Sequence, residues 1–99
     1  MKTRPITFNR EDVLTEALRL SVSVGYNKVT REMLAFAANC SPAQISNMFG
    51  TMAHLRRAIV SAAVHREDLA VLAQALAHNE AKANAANPDL KRRALEALL

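Results

Sequence analysis

Glycine, cysteine and aromatic residues are scarce in this chain. Its 99 residues include two glycines, one cysteine and four aromatic residues, whereas 51% are hydrophobic. A hydrophobic content with so few aromatics and glycines is typical of helices packed through Ala, Leu, Val, Ile and Met. Because one cysteine cannot form an internal disulfide, the sequence fits a reducing compartment. We therefore expect an all-α protein with about one domain's worth of residues.

Long apolar segments are also missing. No stretch approaches the ~20 uninterrupted apolar residues that a membrane-spanning helix requires. The charged residues near the N-terminus are not followed by the apolar stretch of a signal peptide. The sequence therefore predicts a cytoplasmic protein without a membrane partner.

The usual patterns of catalytic and metal sites do not occur either. His54, His65 and His78 are eleven and thirteen residues apart, so no two of them share a helical turn. There is no H-E-x-x-H motif, no glycine-rich phosphate loop and no cysteine-based metal spacing. The sequence predicts a protein that is not an enzyme and uses no metal or cofactor.

The positive charge is concentrated in the first half of the chain. Residues 1–57 contain eight Lys or Arg and four Asp or Glu, whereas residues 58–99 contain five of each, which together give the net charge of +4. Clustered cations favour a polyphosphate partner, because binding releases the counterions of the nucleic acid. We therefore predict a DNA-binding head over residues 1–57 and a helical extension over residues 58–99.

Helix-capping residues divide the chain into helices. Start signals are Asn9, Thr30, Ser41 with Pro42 behind it, Thr51, and Asn87 with Pro88 behind it; stop signals are Gly25, Asn39 and Gly50. They predict a first helix over residues 10–24 and two short helices before residue 51. Residues 51–87 lack Gly and Pro, so they are predicted to form one long helix or two joined by a bend, with residues 65–68 as a solvated helix face.

The two short helices over residues 30–49 have the pattern of a helix-turn-helix. Ala35 is small where the helices cross, Asn39 occupies the position that needs a positive φ, and Cys40 fills the turn. Ile45 anchors the second helix in the core. A plain helical hairpin within a bundle is the alternative interpretation of this pattern.

The surrounding residues resemble the DNA-binding domain of the TetR family of repressors. The resemblance covers residues 8 to about 60 and rests on Gly25-Tyr26, Thr30, Leu34-Ala35, the run Ala37-Ala38-Asn39-Cys40-Ser41, Ile45, Phe49 and Leu55. Ser46, Asn47 and Met52 depart from the family at an aromatic residue, a frequent His or Arg, and a phosphate-contacting Lys. The family's proteins are about twice this length, so the resemblance does not imply a small-molecule inducer site.

A helix-turn-helix of this type places its second helix in the major groove. The residues expected at base edges are Pro42, Ala43, Gln44, Ser46 and Asn47. The residues expected at phosphates are Lys2, Arg4, Lys28, Arg31, Arg56 and Arg57, with the capped helix ends at Thr30, Ser41 and Thr51. No Lys, Arg, Asp or Glu lies between Met33 and Leu55, so the reading surface is predicted to be uncharged.

The second half is expected to join two such heads. An apolar stripe comprises Leu69, Leu72, Ala73, Leu76, Leu90, Leu95 and Leu98, and it predicts a four-helix dimer interface. The alternative is that the last helix folds back on its own chain.

The sequence thus predicts a transcriptional regulator, acting as a dimeric repressor on a palindromic operator in double-stranded DNA. The rival function is an assembly factor, such as a viral packaging adaptor or a plasmid-partition protein, that oligomerises on DNA. A protein-binding bundle that shares the motif is a third possibility.

Overall fold

The computed structural model describes residues 9–98, which are all-helical and contain no strand. The helices are α1 (Arg10–Val24), α2 (Arg31–Ala38), α3 (Pro42–Phe49), α4 (Met52–His65), α5 (Leu69–Ala77), α6 (Ala81–Asn84) and α7 (Pro88–Glu96), with a short 3₁₀ turn at Tyr26–Lys28. The predicted all-α class is therefore confirmed for this part of the chain.

The first four helices begin at the predicted N-caps, and the first three end at the predicted stop residues. The side chains of Asn9, Thr30, Ser41 and Thr51 each accept a hydrogen bond from a backbone N–H in the first turn that follows. Gly25 and Gly50 end α1 and α3 with φ of 98° and 84°, a region that residues with a Cβ rarely adopt. The sequence signals for these helix ends are thus confirmed.

Residues 51–87 form three helices, not one or two. Asp68 begins α5 by accepting from the N–H of Val71, and Glu67 and Asn79 stand at positive φ in the two breaks. The interpretation of residues 65–68 as a solvated helix face is wrong for residues 66–68, because they form the turn between α4 and α5; the exposed His65 ends α4. Their charged side chains reach distant elements: Arg66 pairs with Glu11 at 2.7 Å, and Glu67 pairs with Arg93 at 3.0 Å.

These breaks let α5 turn back onto the rest of the molecule, where it packs against α1, α4 and α7. Leu72, Ala73 and Leu90 were predicted to face a second subunit, but all three are buried in the chain's own core. The prediction is wrong for them because α7 folds back on its own chain, as the alternative interpretation proposed.

The remaining residues of the predicted stripe are divided between the core and the surface. Leu69 and Leu76 are half-buried against the same core. Leu95 and Leu98 are 51% and 64% exposed. The predicted boundary at residue 57 falls inside α4, and one hydrophobic cluster extends from Val13 to Ala94.

Two polar side chains tie the 3₁₀ turn to the second half. The Gln74 Oε1 accepts from the backbone N–H of Tyr26 at 2.8 Å, and its Nε2 donates to the carbonyl of Ser21 at 3.0 Å. The hydroxyl of Tyr26 donates to Glu80 at 2.5 Å. These bonds connect the end of α1 to α5 and α6. The side chain of Tyr26 is also buried, so packing holds the same connection.

Candidate nucleic-acid interface

Helices α2 and α3 meet through a short turn at residues 39–41. Asn39 adopts φ 60° and ψ 49°, the left-handed conformation that the sequence predicted for it. The N–H of Cys40 donates to the carbonyl of Ala35 at 2.9 Å, so the turn satisfies the end of α2. Ala35 and Ile45 are both buried, which holds the two helices together from the inside. Burial also raises the pKa of the half-buried Cys40 thiol, which keeps it protonated.

The residues predicted to meet base edges lie on the outer side of α3. Pro42, Ala43, Gln44 and Asn47 are exposed, whereas Ser46 is half-buried. Gln44 has a structural task as well, because its Oε1 accepts from the N–H of Ser41 at 2.9 Å in a capping box. That oxygen would have to be shared during a two-bond contact with adenine. Asn47 has no such task among the hydrogen bonds of residues 9–98, so it is the amide better placed for this contact.

Three helix N-termini with the predicted caps lie along this part of the chain, at Thr30, Ser41 and Thr51. The first turns of α3 and α4 contain no acidic residue, so their free N–H groups and helix dipoles favour an anion. The first turn of α2 contains the exposed Glu32, which opposes an anion there. Of the three, the ends at Ser41 and Thr51 suit a phosphate better.

Several cations near α2 and α3 lack a carboxylate partner. Lys28, Arg31, Arg56 and Arg57 have none within ion-pair distance in residues 9–98. Of the cations elsewhere, Arg19, Arg66, Arg92 and Arg93 are each paired with Asp or Glu, whereas Lys82 and Lys91 are not. The uncompensated positive charge of the first four cations is therefore carried by the elements that surround α3.

Exposure separates the four unpaired cations near α2 and α3 into two groups. Lys28 and Arg57 are exposed, and Arg31 and Arg56 are half-buried. The Nε of Arg31 is buried without a hydrogen-bond partner. Lys2 and Arg4, which were also predicted to contact phosphates, lie outside the described residues.

Two features of this surface were not predicted from the sequence. The guanidinium of Arg10 lies 4.6 Å from the centre of the Phe49 ring, so a cation on α1 is held at the end of α3. Phe36, on α2, is 90% exposed. The contact between Arg10 and Phe49 depends on how α1 packs, so no local sequence pattern predicts it. The exposure of Phe36 could have been predicted, because Phe36 lies on the face of α2 opposite Leu34.

The described part of the chain contains neither a metal-binding cluster nor a membrane-spanning helix. Within residues 9–98 no three His, Cys, Asp or Glu side chains are grouped so that they could hold a metal ion. None of the helices there combines the length and apolar character that a membrane span needs.

Comparison with known proteins adds nothing to this geometry. No protein-family model matches the chain, and neither the curated proteins nor the solved structures yield a match. The function is therefore argued from the site.

Proposed function

We propose that this chain binds double-stranded DNA in a sequence-specific manner, with α3 in the major groove, and acts as a transcriptional regulator of the repressor type. The observation that carries the proposal is an exposed, uncharged helix face bordered by cations that lack carboxylate partners. A polyanion with readable base edges is the ligand that complements both properties. The resemblance of residues 8–60 to the TetR family's DNA-binding domain supports the same function.

Sequence would be read chiefly by Asn47. Its exposed carboxamide can donate to N7 and accept from N6 of one adenine, a contact worth about 1–3 kcal/mol of discrimination. Gln44 can contribute a donor from its Nε2 while its Oε1 keeps the capping bond. Pro42 and Ala43 present apolar surface suited to a thymine methyl group.

Register and affinity would come from the phosphates. The exposed Lys28 and Arg57 are the side chains best placed for this task, together with the helix ends at Ser41 and Thr51. Arg31 and Arg56 are half-buried, so they add positive electrostatic potential but extend less far towards a phosphate. Arg10, whose guanidinium lies against the Phe49 ring, adds a cation at the C-terminal end of α3.

We further propose that two copies bind one palindromic site. A single unit of this size makes a small DNA interface, and pairing adds a second half-site about one helical turn away. Leu95 and Leu98 at the end of α7 are the members of the predicted stripe that stay exposed, so the contact between copies would be centred on them. This interface is smaller than the four-helix arrangement expected from the sequence.

The proposal is tested by selecting bound duplexes from a random pool and measuring affinity over a range of salt. We expect a palindromic consensus. Asn47→Ala should relax preference at one position of each half-site. Arg57→Ala should weaken all sequences alike and reduce the salt slope by about 0.9 for each phosphate that the guanidinium neutralises.

The matched control is Arg92→Ala, which removes a cation already paired with Asp89 and Glu96 on α7. It should leave the salt slope unchanged. Failure to bind any duplex at low salt would overturn the proposal. Equal affinity for all sequences, with assembly into large oligomers on DNA, would replace it with the assembly factor.

A further inference from the structure

Phe36 is the most exposed of the large hydrophobic side chains in residues 9–98, at 90% of its surface. It lies in the middle of α2, whose opposite side buries Leu34 and Ala35 in the core. An aromatic ring in water adds no burial to the folded chain, so folding stability does not explain its presence.

The ring lies next to the surface proposed to read DNA. Phe36 lines an open groove together with Asn39, Ser41 and Gln44. Ser41 begins α3, and Gln44 is on its outer face. A ligand whose edge contacts the first turn of α3 from this side therefore meets the ring as well.

The groove lies in a segment that contains no acidic residue. Residues 33–66 contain no Asp or Glu, and Arg56 and Arg57 within them have no carboxylate partner in the described chain, whereas Arg66 is paired with Glu11. The exposed Glu32 precedes this segment by one residue. The groove-lining residues themselves are uncharged. The apolar ring thus stands within a surface that suits DNA, where the apolar group available in the major groove is the C5-methyl of thymine.

We propose that Phe36 contacts a thymine C5-methyl group at the edge of the site read by α3 and makes the protein prefer thymine there. The inference rests on the proposed DNA-binding function and adds a specificity-determining residue that lies outside the reading helix. The binding free energy from this contact comes only from the burial of one methyl group and part of the ring. Removing the methyl should weaken binding about fourfold, the factor that corresponds to ~0.8 kcal/mol.

The test compares wild type and Phe36→Ala on the selected duplex and on duplexes in which single thymines are replaced by deoxyuridine, which lacks the methyl. We expect one thymine per half-site whose replacement weakens wild type about fourfold and leaves the Phe36→Ala variant unaffected. Val22→Ala, which shortens another exposed apolar side chain outside the groove, should respond to deoxyuridine as wild type does.

Other outcomes overturn the inference in distinguishable ways. If the same thymine replacement weakens both proteins equally, or no replacement weakens wild type, DNA binding stands and the role of Phe36 falls. If Phe36→Ala lowers self-association but leaves affinity for DNA unchanged, the ring belongs to an interface between copies. If wild type binds no duplex, the proposed function itself fails.

Discussion

The link between α5 and the end of α1 should be worth several kcal/mol, and Gln74→Met measures it. Methionine is similar in length but has no amide. The substitution leaves the N–H of Tyr26 without the partner it has at 2.8 Å, which costs about 1–3 kcal/mol for a buried donor. It also removes a bond to the carbonyl of Ser21, which keeps its bond from the N–H of Gly25. That second loss adds about 0.5–1.5 kcal/mol.

Urea denaturation should therefore show a loss of roughly 1.5–4.5 kcal/mol in the free energy of unfolding, with m unchanged. A domain of this size would lose about 4–8 °C in Tm for each kcal/mol. Ala70→Met is the matched control, because it places the same side chain at an exposed position of α5 and should change stability by less than about 0.5 kcal/mol. A Gln74→Met variant as stable as this control would refute the role assigned to the amide.

Two further predictions concern stability. Burial, followed by the hydrogen bond to Glu80, raises the pKa of Tyr26 above its ordinary value near 10. A raised pKa in the folded state gives stability that is complete below about pH 10 and is lost as pH rises beyond it. The absorbance of tyrosinate from the chain's one tyrosine should therefore appear together with unfolding. Ionisation of Tyr26 near pH 10 in the folded protein would contradict its burial. In the α2–α3 turn, Asn39→Ala should cost about 1 kcal/mol in urea denaturation because of its positive φ, whereas Asn39→Gly should be close to neutral, and equal losses in both would contradict the strain.

Helix ends in the first half could be predicted because the signals act locally. The side-chain caps at Thr30 and Ser41 satisfy backbone groups three residues away, and Gly50 supplies a backbone conformation that other residues avoid. Such effects do not depend on the rest of the fold, so these helix ends can be predicted from the local sequence alone.

The sequence allowed for one bend after Thr51 but did not predict the two breaks after α4 and α5, because their causes are less local. Glu67 and Asn79 adopt positive φ without being glycine. The first of these turns is supported by contacts from far along the chain, since Glu67 pairs with Arg93 and Arg66 with Glu11. Periodicity in a segment without Gly or Pro cannot reveal a turn that tertiary contacts stabilise.

The candidate site was predicted in outline and refined by packing. The exposed α3 residues follow from helical periodicity, so Asn47 and Pro42 could be placed outward from the sequence alone. Which cations remain unpaired could not be predicted, because the partner of Arg66 is fifty-five residues away in α1. The same holds for the dimer stripe: whether Leu72 faces a partner or the core depends on where α5 turns.

The most direct test of the central claim is to map the DNA contact on the protein. Isotope-labelled protein titrated with selected or random-sequence duplex should show amide chemical-shift changes concentrated in residues 41–47, with further changes near Lys28 and in the first turn of α4. The outer faces of α5 and α6 should be unaffected. Changes confined to those helices, or no changes at low salt, would contradict DNA binding through α3.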